Sequence, residues 1–174
     1  MPAPAPINIK SFKAKANRHK KSMTKFLRKF DKKFIPGMLS KQLELNEQVW
    51  QEVDCLSCAN CCKTMTPTFT KEDTKRIAAH LGITTKELYN KYFEKDEDNG
   101  DIVNKKQPCQ WLNLKDNKCS IYEVRPVDCS GFPHHTKKRF DNYNHVYEQN
   151  IDKCPATFAM VQKLQAWVEE EYKW

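Results

Sequence analysis

Eight cysteines, none before position 55, constrain this chain more than any other feature. Four of them fall in one octapeptide, Cys55-Leu-Ser-Cys58-Ala-Asn-Cys61-Cys62, and the rest are single: Cys109, Cys119, Cys129 and Cys154. A Cys-x-x-Cys step brings two sulfurs to one side of a tight loop, at metal-binding distance. Zinc takes tetrahedral sulfur ligands at about 2.3 Å, and such a loop supplies half of that shell. Iron–sulfur clusters are likewise held by thiolates, often several from one short loop. The third cysteine, Cys61, after a second two-residue spacer, fits a cluster better than a simple zinc finger. Adjacent Cys61 and Cys62 are expected to point in different directions, one of them toward a second metal or into the core. Eight sulfurs suffice for two four-thiolate sites or for one site with spare ligands, and counting does not choose between them.

The same argument needs a reducing compartment. Residues 1–6, Met-Pro-Ala-Pro-Ala-Pro, carry no basic segment followed by an apolar one, so no secretory signal is expected and the tip reads as extended. No apolar run approaches the roughly 20 residues needed to span a bilayer. A cytoplasmic location follows as the expectation, and cytoplasmic thiols stay reduced and available to soft or borderline metals.

Charge divides the chain as sharply as sulfur does. Residues 1–52 carry 12 Lys and Arg against 4 Asp and Glu, while the remaining 122 residues carry 18 of each. The net charge of +8 therefore belongs to the first segment. We expect a basic helical segment over 1–52 and a cysteine-cluster domain over 53–174. Apolar residues Ile9, Phe12, Ala16, Met23, Phe26, Leu27, Phe30 and Phe34 trace one stripe of a helix over 7–34, which Pro36-Gly37 ends. A second helix is expected over 39–52, with Leu39, Leu43, Leu45, Val49 and Trp50 as its apolar positions. Thr70 caps a helix over 71–81 that Gly82 ends, and Thr84 with Glu87 has capping-box spacing for a helix over 85–93. Lys95 to Gly100 reads as a charged turn. Two short strands, 108–112 and 118–122, are expected to pair through a turn at 113–117. Residues 125–145 read as irregular. Pro155 opens a closing helix over 155–172, with Phe158, Met160, Val161, Leu164 and Trp167 facing inward. The fold class is α+β, mostly α-helical with a short β-hairpin, in a small metal-stabilised cysteine-rich domain.

The ordered elements Cys-x-x-Cys-x-x-Cys-Cys, Pro108-Cys109-x-x-Leu112 and Cys119-Ser-Ile121-Tyr122-Glu-x-Arg125-Pro126-x-x-Cys129-x-x-Phe132-Pro133 resemble the YkgJ-type cysteine-cluster family. That family is described as zinc- or iron-chelating, and its members are often labelled iron–sulfur-cluster proteins. Flagellin lysine N-methylases carry a similar cluster. The resemblance covers residues 55 to about 133 and extends plausibly to Cys154. It implies metal ligation by Cys55, Cys58, Cys61 or Cys62, Cys109, Cys119 and Cys129, with zinc or iron, including a 4Fe-4S cluster, as the cofactor. Ala59 stands where many members have Gly, and Ser130 where Arg often follows the cysteine.

Several other residues have two readings each. His134 and His135 could complete a zinc shell or bind substrate; beside a turn, they read as exposed polar residues. Arg125 could orient the Cys129 loop by donating to nearby carbonyls or sulfurs, or lie on the surface. Trp111 and Phe132 read as core packing. The basic segment 10–33 has a solvated cationic face as its first reading; a nucleic-acid surface and an anionic membrane surface are the others. Function then reads as metal binding in an accessory or electron-transfer role, with a protein or redox partner. A methylase-like enzyme component is the first alternative, although four scattered glycines, at 37, 82, 100 and 131, offer no glycine-rich nucleotide loop. A nucleic-acid adaptor with a basic helical arm is the second.

Overall fold

A computed structural model describes residue 4 and residues 6–173; most of the Pro/Ala tip expected to be extended lies outside the described residues. In chain order the elements are α1 (Ile9–Leu27), α2 (Met38–Glu52), α3 (Cys55–Cys58), α4 (Asn60–Thr64), α5 (Lys71–Leu81), α6 (Thr85–Tyr92), β1 (Phe93–Lys95), β2 (Ile102–Asn104), α7 (Val127–Gly131), α8 (Asn144–Asn150) and α9 (Pro155–Tyr172). Short 3-10 turns lie at Arg28–Asp31, Tyr122–Val124 and Phe140–Asn142. The fold is α+β and mostly helical, as expected. Packing divides the chain at other places than charge does. One compact unit joins residues 1–58 to 133–174, and the other is 59–132.

In the first unit α1 lays its apolar stripe against α8 and α9. Phe12, Ala16, Met23, Phe26 and Leu27 are buried, while Phe34, expected to continue the stripe, is 69% exposed. The α-helix ends at Leu27 and passes into the 3-10 turn, so Phe34 is out of phase with it. Burying side chains the size of Phe12, Met23, Phe26 and Leu27 stabilises by about 1.5–3 kcal/mol each, which exceeds what a surface helix gains from propensity. The inward face of α2 is Met38, Gln42, Leu45 and Val49, so of the expected positions Leu45 and Val49 turn inward. Leu39, Leu43 and Trp50 are exposed. Gln42 can be fully buried because every polar atom it has is used. Its Nε2 donates to the His135 and Lys138 carbonyls and its Oε1 accepts from the Phe140 amide at 2.7 Å. Pro155 stands at the first turn of α9, as expected, and Phe158, Met160, Val161 and Leu164 are buried there.

The second unit gathers Phe69, Ile77, Ala78, Leu88, Phe93, Trp111 and Ile121 into one core. Trp111 meets Phe69, Phe93 and Tyr92 with ring centroids 5.4–5.9 Å apart. The expected Thr70 cap forms, completed to a capping box by Asp73 on α5, and the expected capping box of Thr84 with Glu87 forms on α6. The hairpin lies elsewhere than expected. β1 and β2 pair antiparallel, with Phe93 opposite Asn104 and Lys95 opposite Ile102. The charged turn between them is tied by Asp96, whose carboxylate accepts from the Asp98 and Asn99 amides. Segments 108–112 and 118–122 share only the bridge between Leu112 and Cys119. That bridge is bracketed by the Asn113 amide donating to the Lys118 carbonyl and the Ser120 amide donating to the Trp111 carbonyl, both at 2.8 Å, and the chain then enters the 3-10 turn at Tyr122–Val124. Residues 125–145, expected to be irregular, hold α7, a 3-10 turn and the start of α8.

Candidate metal centre

The octapeptide expected as a plain loop is two helical turns, α3 and α4, broken at Ala59. Ala59 sits in the left-handed region, φ 46° and ψ 21°, a conformation glycine adopts without steric cost. The boundary between the two units falls here, after Cys58. Cys55 and Cys58 therefore belong with Cys154, whereas Cys61 and Cys62 belong with Cys109, Cys119 and Cys129.

In unit 59–132, Cys61 and Cys62 do not diverge as expected. Their sulfurs approach to 3.9 Å. Two ligands of one tetrahedral ion with bonds of about 2.3 Å stand about 3.8 Å apart. The hydrogen bond with Cys61 holds the Cys62 thiol down, to a pKa of about 7, against the opposing effect of burial; its own amide and the charge of Lys63 help. The Cys109 amide donates to the Cys62 carbonyl at 2.8 Å, which ties the 105–112 loop to α4. Burial pushes the Cys109 thiol up, and charge on Cys62 and Cys119 adds to the rise. Cys119 is raised by burial first, then by Cys62, while Arg125 pulls it down. Cys129, on α7, is raised most: by burial, then by Cys62, Cys109, Asp128 and Cys119. Charge on Cys62 therefore reaches Cys109, Cys119 and Cys129 alike.

Backbone and side-chain donors address these sulfurs. The Trp111 amide bonds Cys109 and the Ile121 amide bonds Cys119, each two residues on from its cysteine. Asn104 Nδ2, on β2, reaches Cys109 Sγ at 3.5 Å. Arg125 stacks on the Tyr122 ring, 3.8 Å from its centroid, and donates to the Tyr122 carbonyl at 2.9 Å. The turn into Cys129 is held by a residue the sequence reading missed. Asp73, fully buried, accepts from the Val127 amide at 3.1 Å and from Arg76 at 2.6 Å, and Arg76 also donates to the Arg125 carbonyl at 2.9 Å.

In the other unit, Cys154 is the residue before α9, buried beside the amides of Ala156 and Thr157 and the Thr157 hydroxyl. Burial pushes its thiol up to about 11, the two amides oppose the rise, and Cys55 adds to it. His135, read from sequence as an exposed polar residue or a ligand, is 3% exposed. Its Nδ1 lies 3.2 Å from Asn46 Oδ1 and its Nε2 3.2 Å from Thr157 Oγ1. Trp50 Nε1, which can only donate, also reaches Asn46 Oδ1, at 3.1 Å. That oxygen is thus an acceptor, His135 carries its proton on Nδ1, and Thr157 donates to Nε2. Both ring nitrogens are committed to protein partners, which leaves neither for a metal. Burial, helped by charge on His134, lowers the His135 pKa to about 3. His135 also stacks on Tyr147, with centroids 5.3 Å apart, and its carbonyl accepts from the Tyr147 hydroxyl. The spacing of 38, 42, 45 and 49 is the signal that would have placed Gln42 inside.

All eight cysteines are thiols, with no disulfide among the described residues. Among those residues no three His, Cys, Asp or Glu side chains stand as a closed ligand set. The chemistry of the donors nonetheless fits a thiophilic cation: half-buried sulfurs, one of them already inclined to lose its proton and raising the others, with a side-chain amide donor on Cys109.

The CxxCxxCC family, described as "Putative zinc- or iron-chelating domain", matches residues 54–154, more than half of the chain. The chain belongs to this family. A protein of Methanocaldococcus jannaschii, named only as uncharacterized protein MJ0661, is similar as well: 34% identical over 97 residues, or 54% of this chain and 51% of that one. The chain thus spans about half the length of the curated relative it matches. No solved structure matches it. Segment 1–53, with its basic helix, lies outside the CxxCxxCC match.

Proposed function

We propose that this CxxCxxCC protein binds zinc or iron through thiolates in an accessory or electron-transfer role. Cys62, Cys109, Cys119 and Cys129 form the main ligand set, with Cys61 beside them; Cys55, Cys58 and Cys154 form a second set in the other unit. The observation that carries this reading is the 3.9 Å separation of the Cys61 and Cys62 sulfurs, the edge of one tetrahedral ion, on a turn that the Cys109 amide ties to its own loop; charge on Cys62, held at about 7, repels charge on Cys109, Cys119 and Cys129. A bound cation would neutralise that repulsion and clamp three segments far apart in sequence. Thiolate binding of a structural zinc contributes about 10 kcal/mol, comparable to the whole net stability of a domain. Iron–sulfur chemistry would add one-electron transfer. The protein's own part is to hold the sulfurs: Trp111, Ile121 and Asn104 donate to them, and Asp73 and Arg76 fix the turn that carries Cys129. Reduced thiols in such number go with the cytoplasm. No helix of the described residues is long and apolar enough to cross a membrane. The basic segment 10–33 supports a second role, binding an anionic partner.

Anaerobic purification followed by elemental analysis tests the metal reading. Stoichiometric zinc in a colourless protein, or iron with sulfide in a brown one, supports it and decides between the two metals. Cys109→Ser and Cys129→Ser are expected to lower the content of either. Protein free of both metals, and unable to take up either anaerobically, overturns the reading.

A further inference from the structure

We propose that the outward face of α1 is a binding surface for the sugar–phosphate backbone of a nucleic acid. α1 carries seven Lys and Arg residues and no Asp or Glu. At 100° per residue, Lys10, Arg18, Lys21 and Lys25 fall on one crest, opposite Phe12, Ala16, Met23 and Phe26. The four are exposed, and no ion pair engages any of them among the described residues. The cations on the flanks behave differently. Lys20 pairs with Asp152 at 2.7 Å, and Lys15 donates to Gln162 at 3.2 Å. The protein thus uses its flanking lysines to seat the helix and leaves the crest to solvent.

The crest suits a linear polyanion. From Lys10 to Lys25 it runs about 22 Å, at 1.5 Å per residue. Ser11, Ala14, Asn17 and Ser22 lie among the cations, and all are small and neutral, so a phosphate chain can approach the helix closely. Charge is concentrated here, because residues beyond 52 carry equal numbers of positive and negative side chains. A membrane surface fits less well. Interfacial helices bury their apolar face in lipid, and that face of α1 is already in the protein core, with Phe12 9%, Met23 1%, Phe26 6% and Leu27 0% exposed. Lysines alone give charge attraction without an anchor, and phosphate contacts need nothing more.

Fluorescence anisotropy of the full chain, as purified, with labelled 30-nucleotide probes tests this. One probe is duplex DNA and the other single-stranded RNA, so the two arms tell the sources of the backbone apart. Four phosphate contacts give a log–log salt slope of about −3.6 on the duplex and about −2.8 on the single strand. Affinity then falls about 50- to 150-fold between 50 and 200 mM salt. The quadruple variant Lys10→Gln, Arg18→Gln, Lys21→Gln, Lys25→Gln, with unchanged circular dichroism, is expected to lose most of the affinity and flatten the slope. The double variant Lys71→Gln, Lys75→Gln, equally exposed on α5, is expected to bind as the parent does. Equal loss in the two variants, binding that survives loss of the crest, or retention by phosphatidylserine vesicles without binding to either probe overturns the proposal. Metal content is read on the same samples, so failure here leaves the thiolate reading standing.

Discussion

Replacing Asp73 by Ala should unfasten the turn that carries Cys129. The Asp73 side chain is 1% exposed and accepts four hydrogen bonds. Two come from Thr70, its amide at 2.9 Å and its hydroxyl at 2.8 Å, one from Arg76 at 2.6 Å and one from the Val127 amide at 3.1 Å. Thr70 is exposed, so water replaces much of what it loses, and the helix start costs about 1 kcal/mol. The Val127 and Arg76 bonds are charge-assisted, worth about 1.5–3 kcal/mol each before solvent makes up part of the Arg76 bond. The total is about 3–5 kcal/mol, a large share of the roughly 5–15 kcal/mol that holds a domain together. Urea titration followed by circular dichroism measures it, with Thr70→Ala as the reference for the cap alone. Metal content should fall as well, because Val127 lies two residues before Cys129. Burial alone would raise the Asp73 pKa, but donation from Thr70, Arg76 and Val127 outweighs it and holds the carboxyl below its ordinary value. A depressed folded pKa gives stability that is present above the unfolded value and lost as pH falls through the folded one. Parent and variant should therefore converge below about pH 4. An Asp73→Ala protein no less stable than Thr70→Ala would refute the reasoning.

Ala59→Gly should raise stability by up to about 1.6 kcal/mol: relief of the left-handed strain is worth about 1–2 kcal/mol, and the freer unfolded chain takes back about 0.4–1. A lower urea midpoint would show that the buried methyl matters more than the backbone. His135 makes stability pH-dependent in a defined window. The unfolded chain takes up its proton near pH 6.5 and the folded one only near 3. The folded state binds fewer protons in between, so stability declines as pH falls from about 6.5 toward 3, by about 1.4 kcal/mol per unit at most. His135→Phe should flatten that slope in acid titrations; an unchanged slope would assign it to other groups.

Local signals in the sequence decide the outcome where one short segment holds all the partners. Thr70, Thr84, Gly82 and Pro155 mark their helices because caps are chemistry between near neighbours. The cysteine motif names its family for the same reason. Errors appear where distant groups decide. The spacing of 38, 42, 45 and 49 marks Gln42 as inward, but what lets a glutamine stay there is three backbone groups of residues 135–140, and no local rule contains those partners. The 108–122 hairpin stops at one bridge, where the chain turns into the 3-10 segment Tyr122–Val124 that packs on α5. His135 looked exposed from its position by a turn, yet Asn46, Tyr147 and Thr157 enclose it. Thr70 is legible as the cap of α5, but Asp73 is not legible as the support of Cys129, since Val127 is 54 positions away.

The chain from Trp50 through Asn46 and His135 to Thr157 has a direction, and an indole at the protein surface sets it. With the Thr157 proton given to the imidazole, only oxygen lone pairs remain to face Cys154, and these welcome an S–H rather than a bare sulfur. Trp50→Phe would let the Asn46 amide turn over and the imidazole change tautomer. Thr157 could then aim its proton at Cys154 instead, so a side chain with no sulfur contact of its own governs whether that thiol lets go of hydrogen.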